Sequence, residues 1–369
     1  MNALFIGPYR QNDGWGIASR EYIKAIATQI PDLATRPIYY TENKADIDQE
    51  ISNYEKRNFD SYDIVFQKVL PQSISASSIA KKNVGLSVFE TNNITNFESI
   101  TNINRLDEIC VPSTVEAKCL RESGVTTKIK SISQPIDIDL YKSKQDHKIN
   151  LPFFTDNTFY FYTIGEWIER KNFKDLIAAF HLAFDIVDDV GLVIKTSEIN
   201  GDYQKIQSDI QKITNKLRIR KEYKKEVIIT QKLTDDDMIG LHNTCHCFVM
   251  PSFGEAFCRP AAEALICGNT PIVTDKIGTC DFIDNNNGYL INSRKQPIIT
   301  NDPCLSENFN MYNASEYWLQ PSVTHLIECM QKAYKLYRNN RKEYEAKRMI
   351  GIESADQFSY TNIGKKICG

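Results

Sequence analysis

Short apolar runs alternate along this chain with segments whose apolar positions recur at helical spacing. Residues 2–7, 62–68, 83–89, 106–111 and 128–133 read as strands. Residues 17–30 read as a helix that follows a glycine turn. Ser113-Thr114-Val115-Glu116 is a capping-box sequence, so another helix is expected to start at Thr114. Strand and helix in alternation predict a parallel sheet covered on both faces.

A polar stretch without pattern, 137–152, interrupts the series. A second set of strands follows at 159–165, 192–195, 227–230, 246–250 and 270–274. Helices are expected at 173–187, 203–217, 234–243 and 259–266. Residues 293–317, with Pro303, lack periodicity and read as a loop or insertion. Residues 323–348 read as one long helix and 357–367 as a short last one. The expected fold class is α/β, with two Rossmann-like, doubly wound parallel-sheet domains and an interdomain cleft. The expected domains are 1–145, 146–348 and a C-terminal helix at 349–369 that returns to the first.

Length and composition agree. A chain of 369 residues suits two domains. A formal net charge of -3 weakens a nucleic-acid reading without excluding it. No apolar stretch is long enough to span a bilayer, and the first apolar run stops at Gly7-Pro8, so a cytoplasmic protein is expected. Ten scattered cysteines point to a reducing compartment. Cys245-His246-Cys247 lies on an expected strand, where alternate side chains face opposite ways, and reads as core rather than as a metal site. Asp235-Asp236-Asp237 opens an expected helix, where carboxylates complement the helix dipole; no Asp-x-Asp dyad sits at a strand end to hold a metal.

Ligands of doubly wound sheets bind beyond the carboxyl ends of the strands. Three loops there carry candidate chemistry. The first runs from Gly7 to Ala18; Gly14 and Gly16 let the backbone approach a ligand at a helix N-terminus. The second holds Glu166, Arg170, Lys171 and Asn172, with two adjacent cations suited to a diphosphate. The third is Pro251-Ser252-Phe253-Gly254-Glu255-Ala256-Phe257-Cys258-Arg259-Pro260-Ala261-Ala262-Glu263. Its two carboxylates suit pairs of hydroxyls, and Pro260 suits a first helical turn.

This third loop resembles the E-x7-E signature of retaining glycosyltransferases of family 4, whose fold is GT-B. Arg170-Lys171-Asn172, Val111-Pro112-Ser113, Gln134-Pro135-Ile136-Asp137 and Gln357-Phe358-Ser359-Tyr360 resemble further stretches of that family in the same order. The resemblance implies transfer of a sugar from a nucleotide-diphosphate sugar (UDP or GDP) to a hydroxyl acceptor, with retention and without a metal or other cofactor. It implies that Glu255 binds donor-sugar hydroxyls and that Phe257 and Cys258 offer backbone N–H groups. Arg170 and Lys171 would neutralise the leaving diphosphate and Glu263 would hold the ribose. Gly14, Gly16 and Arg259 would complete the donor site. Glu166 stands where the family often has Arg, and Cys258 where it commonly has Gly. Phe89-Glu90-Thr91 resembles a variant in part of the family, and Glu90 either orients or deprotonates the acceptor or only fixes its loop.

The acceptor is left open among glycan, lipid-linked sugar, protein, small molecule and modified DNA. The basic run 216–226 reads as a solvated helix face, with contact to a membrane surface as its alternative. The rival functions are a non-catalytic nucleotide-sugar-binding protein and a sugar-nucleotide epimerase on the same scaffold. A phosphorylase would need a lysine site for its cofactor that the chain does not show.

Overall fold

The computed structural model describes residues 1–42, 44–152, 157–197, 203–300 and 312–369. The chain divides into two compact units, Met1–Ile138 with Asp356–Gly369, and Asp139–Ala355.

Unit 1 contains β1 (Asn2–Gly7), α1 (Gly14–Ala27), β2 (Asp32–Pro37), α2 (Gln49–Glu55), β3 (Tyr62–Gln67), β4 (Ala80–Leu86), α3 (Phe97–Ile103), β5 (Glu108–Val111), α4 (Thr114–Glu122) and β6 (Lys128–Ser131). The strands pair parallel in the order β2-β1-β3-β4-β5-β6. Both faces of β1 are covered: Ala3 and Phe5 join one core cluster and Leu4 another. That is why its sequence is a continuous apolar run. The expected start of α4 is correct, with Ser113 Oγ accepting from the Glu116 N–H at 3.3 Å.

Unit 2 begins within α5 (Ile138–Ser143), in the stretch expected to lack pattern. Asn243 Nδ2 donates to the carbonyls of Lys144 and His147, which ties the segment after α5 to unit 2. The division therefore falls at 138/139 rather than at 145. There follow β7 (Phe159–Glu166), α6 (Phe173–Ala183), β8 (Val190–Ser197), α7 (Tyr203–Leu217), β9 (Val227–Ile229), α8 (Asp235–Thr244), β10 (Cys247–Met250), α9 (Arg259–Ile266), β11 (Ile272–Thr274), β12 (Tyr289–Ile291), β13 (Ser293–Pro297) and β14 (Tyr317–Pro321). The parallel order is β12-β11-β10-β7-β8-β9. Its core is aromatic, with Phe159, Phe161 and Phe180 fully buried. Truncating Phe180 to Ala would cost about 3–5 kcal/mol.

Three expectations need correction. Part of 293–317 is not loop: β13 pairs antiparallel with β14, while 301–311, Pro303 among them, lie outside the described residues. The long helix is two, α10 (Val323–Asn339) and α11 (Arg341–Glu353). Asn340 leaves helical geometry and its Oδ1 accepts from the Glu343 N–H at 3.3 Å, starting the second helix as an N-cap. The basic run is not a helix face, because α7 ends at Leu217 and Arg218 turns left-handed at φ 53°. Arg220 and Lys224 donate to the carbonyls of Phe184 and Asp188.

The last helix, α12 (Tyr360–Cys368), packs in unit 1. Ile363 and Ile367 enter its core, and Tyr360 Oη donates to Glu21 at 2.8 Å. Among the described residues no helix is long and apolar enough to cross a membrane.

Candidate active site

In unit 2 the strand order reverses between β7 and β10, the switch point where doubly wound sheets open a crevice. The two loops that leave this point are the second and third loops singled out above. They are stitched together by backbone. The Phe253 N–H donates to the Arg170 carbonyl at 2.9 Å, and Asn172 Nδ2 donates to the Pro251 carbonyl at 3.0 Å. Asn172 holds φ 55°, a left-handed conformation that Asn tolerates better than most residues, and so turns the 3-10 segment Glu169–Lys171 into α6.

Glu255 is the hub. Its Oε1 accepts from Lys171 Nζ at 2.6 Å, Ser252 Oγ at 2.8 Å and Arg170 at 3.1 Å. Arg170 also donates to the Gly254 carbonyl at 2.7 Å. Burial alone would raise the Glu255 carboxyl, but Lys171 and Arg170 outweigh it and hold the group below the usual carboxylate range. Two cations face one carboxylate here, so the cluster carries one surplus positive charge. That surplus suits an anion that develops charge during a reaction.

Residues that the sequence did not flag fix this hub. Ser252 donates directly to Glu255, and Thr274 Oγ1 donates to the Ser252 carbonyl at 2.7 Å. The Gly278 N–H donates to the Glu255 carbonyl at 2.8 Å. A Cβ on Gly278 would stand 1.9 Å from the Ala256 carbonyl oxygen, so only glycine fits. The one sequence signal for Gly278 was its place shortly after β11.

Glu263 stands in a different cluster. Its Oε1 accepts from Arg259 Nε at 2.7 Å, one turn earlier on α9, and His242 Nε2 lies 3.5 Å from Oε2. Burial opposes ionisation, but Arg259, His242 and a hydrogen bond from Tyr141 pull the carboxyl down to about 2. The structure therefore brings Arg170, Lys171 and Glu255 into direct contact. It gives Glu263 partners of its own, where one shared ligand shell was expected. The Ala261 and Ala262 amides turn back to the Cys258 carbonyl, so the start of α9 bonds internally. Cys258 is buried at φ 60°. A left-handed residue is required at this N-cap, and that is the position where the resembled family has glycine. Phe257 is buried against Phe282, with ring centroids 5.1 Å apart.

Gly14, Gly16 and Glu90 belong to unit 1. Asp13 caps α1, its Oδ1 accepting from the Gly16 N–H at 2.8 Å. A Cβ on Gly16 would meet the Gln11 carbonyl oxygen at 1.9 Å, so Gly16 is needed for loop-to-helix packing. Gly14 is exposed with nothing near its Cβ position. Glu90 is half-buried beyond β4.

Among the described residues no group of three or more His, Cys, Asp and Glu side chains is placed to hold a metal. Cys245 and Cys247 are buried thiols, and Cys247 Sγ donates to the Thr270 carbonyl. His246 Nδ1 accepts from the Tyr160 N–H at 3.1 Å, and burial lowers the imidazole to about 3.

Residues 144–300 match the family described as glycosyl transferases group 1. The domain assignment thus falls on the unit that holds the Glu255 hub. Among curated proteins the chain is similar to the serotype-specific mannosyltransferase WbdA of Escherichia coli, with 32% identity over 105 residues, 27% of this chain and 11% of that protein. A second match to a protein of that name has 46% identity over 55 residues, 14% of this chain and 7% of the other. The chain thus spans about a tenth of the length of the curated relatives it matches. Among solved structures it is similar to Anabaena Alr3699/HepE in complex with UDP, at TM-score 0.68 and 14% identity, covering 100% of this chain and 98% of that one. Sucrose-phosphate synthase from Thermosynechococcus elongatus gives TM-score 0.66 and 13% identity over 100% and 97%. Trehalose-6-phosphate synthase OtsA gives 0.67 and 6% over 99% and 97%. The fold is GT-B.

Proposed function

We propose that this chain is a glycosyltransferase that moves a sugar from a nucleotide-diphosphate sugar to a hydroxyl acceptor, with retention of configuration and no metal. The observation that carries the reading is the hub at the switch point of unit 2, where Lys171 and Arg170 converge on Glu255. The group 1 match over 144–300, the WbdA relatives and the UDP complexes of HepE support it. The UDP complexes of HepE favour UDP over GDP as the nucleotide, and mannose is the sugar named in the relatives' description.

Each group has a chemical task in this reading. When the sugar–phosphate bond breaks, negative charge grows on the leaving diphosphate and positive charge on the anomeric carbon. Lys171 and Arg170 move from Glu255 to the diphosphate, where the new charge appears. Glu255 then accepts hydrogen bonds from sugar hydroxyls. Glu263, held ionised by Arg259 and His242, accepts from the ribose. Phe257 and Cys258 offer backbone N–H groups. Family 4 membership, by the E-x7-E pair Glu255 and Glu263, belongs to the same reading.

The test is to incubate the protein with UDP-, GDP- and ADP-sugars and candidate acceptors, with EDTA present, and to read the product's anomeric proton by NMR. Acceptor-dependent release of nucleoside diphosphate with the donor's configuration retained is the expected result. Inversion, or a strict need for Mg²⁺ or Mn²⁺, would refute the mechanism. Binding of a donor with no turnover for any acceptor would leave a sugar-nucleotide-binding protein.

A further inference from the structure

Three buried side chains meet beside the Glu263 cluster. Tyr162 comes from β7, His242 from α8 and Asn269 from the turn after α9; all three are buried. Tyr162 Oη and His242 Nδ1 stand 2.6 Å apart. Asn269 Nδ2 donates to the same hydroxyl at 3.0 Å and to the His242 backbone carbonyl at 2.8 Å. A carbonyl can only accept, so it fixes which end of the Asn269 amide faces inward.

The hydrogens in this group can be counted. Asn269 supplies one to the Tyr162 oxygen, which leaves the hydroxyl's own hydrogen for His242 Nδ1. Burial raises the Tyr162 phenol well above its usual range, so it keeps that hydrogen. Nδ1 therefore accepts, and a neutral imidazole that accepts at Nδ1 carries its hydrogen at Nε2. Nε2 is buried, lies 3.5 Å from Glu263 Oε2 and makes no other hydrogen bond among the described residues. The opposite tautomer would strand the Tyr162 hydrogen and set a bare nitrogen lone pair against a carboxylate. An imidazolium would strand that hydrogen too. A separation of 3.5 Å is long for a hydrogen bond, but contacts of binding groups are often long before the ligand arrives and tighten with it. The other carboxylate oxygen, Oε1, is already held by Arg259 Nε at 2.7 Å. Both oxygens are thus steered from within unit 2, and the lone pairs left over suit a pair of hydroxyls.

We infer that His242 is a positioning residue: Tyr162 and Asn269 hold it as the Nε2–H tautomer, and that N–H orients the Glu263 carboxylate toward the ribose hydroxyls of the nucleotide. The ribose part rests on the transfer reading above; the tautomer does not.

The test uses the full chain and has two arms. The first is long-range proton–nitrogen NMR of the five histidines at neutral pH, with the His242 signals assigned by their loss in His242→Gln. A pyridine-type Nδ1 and a pyrrole-type Nε2 are expected. The reverse pattern, or two pyrrole-type nitrogens, overturns the inference. The second arm is calorimetry with UDP or GDP, whichever wild type binds, and with its 2′,3′-dideoxy counterpart. Wild type prefers the ribose form by about tenfold or more, the worth of a hydrogen bond to a charged group. His242→Asn, whose amide reaches only the place of Nδ1, loses that preference and binds the dideoxy form as wild type does. His242→Gln, whose amide reaches the place of Nε2, keeps the preference. Should His242→Asn lose its cooperative melt, Tyr162→Phe, which removes the bond holding the ring, is expected to reduce the preference. Equal weakening of both nucleotides in His242→Asn marks a merely structural role and overturns the inference, as does a wild type without preference. A wild type that binds neither UDP nor GDP removes the transfer reading, and the ribose role with it, while the NMR arm still decides the tautomer.

Discussion

Lys171 Nζ lies 2.6 Å from Glu255 Oε1, on the same oxygen that accepts from Arg170 at 3.1 Å. The carboxylate thus competes with an incoming diphosphate for both cations. Glu255→Gln removes the competing charge, so UDP binds more tightly, several-fold by calorimetry, while turnover falls by about a hundredfold or more. The same change breaks a buried ion pair and lowers stability by about 3 kcal/mol in a denaturant titration. Weaker UDP binding in the variant would show that Glu255 does not restrain the cations.

Gly278 tests whether the position of Glu255 matters apart from its charge. A Cβ there meets backbone oxygen at 1.9 Å, and the glycine's N–H holds the Glu255 carbonyl. Gly278→Ala has to displace the 254–256 loop. The expected result is a fall in turnover of at least about tenfold, since small misplacements at a reacting centre are costly. Peptide-resolved hydrogen exchange should rise in that loop and stay unchanged in α12. Wild-type turnover would show that the loop adapts.

What the sequence made legible follows from what is local. The central strands of both sheets are buried on both faces, so β1, β3, β7 and β10 are readable as apolar runs. Edge strand β2 was missed because Asp32, Arg36 and Pro37 dilute its apolar pattern, and α2 and α3 because they are short and polar. β13 was missed because its partner β14 lies about twenty residues on and its own sequence is polar. The closeness of Arg170, Lys171 and Glu255 was legible, because loop residues after parallel strands follow from chain order. Ser252, Gly278, His242 and Lys68 were not, because their roles depend on neighbours that only the fold supplies. Nor was the grip of Glu263 on Arg259 and His242.

That grip makes a prediction in acid. The Glu263 carboxyl titrates at about 2 in the folded chain, against an ordinary 4.5. A depressed carboxylate contributes stability that is complete above the unfolded value. It is lost as pH falls from about 4.5 toward about 2, because the unfolded chain takes up the proton first. The contribution is of the order of 3 kcal/mol. Glu263→Gln should therefore be less stable than wild type at neutral pH, and the gap should close as pH falls through that window. A gap that stays constant in acid would mean that the charge of Glu263 does not stabilise the fold.

Lys68 has the opposite sign in the opposite range. Burial lowers its ammonium from 10.5 to about 7, with Glu116, Glu90 and Asp13 pulling the other way. Between those values the unfolded chain holds a proton that the folded chain has released, so stability rises with pH across the window. Below about 7 the cost of burying the charge is fully present. Lys68→Met removes that cost, less the cation–π contact with Trp15, which contributes about 1–2 kcal/mol when desolvated. The variant should be more stable than wild type by a few kcal/mol near about pH 6, and the difference should shrink toward about pH 10. Lys195, Lys224 and Lys347 are also lowered by burial, but they are common to both proteins and cancel. Urea titrations of the pair across this range measure the difference directly. A pH-independent difference would mean that Lys68 keeps its proton in the folded chain.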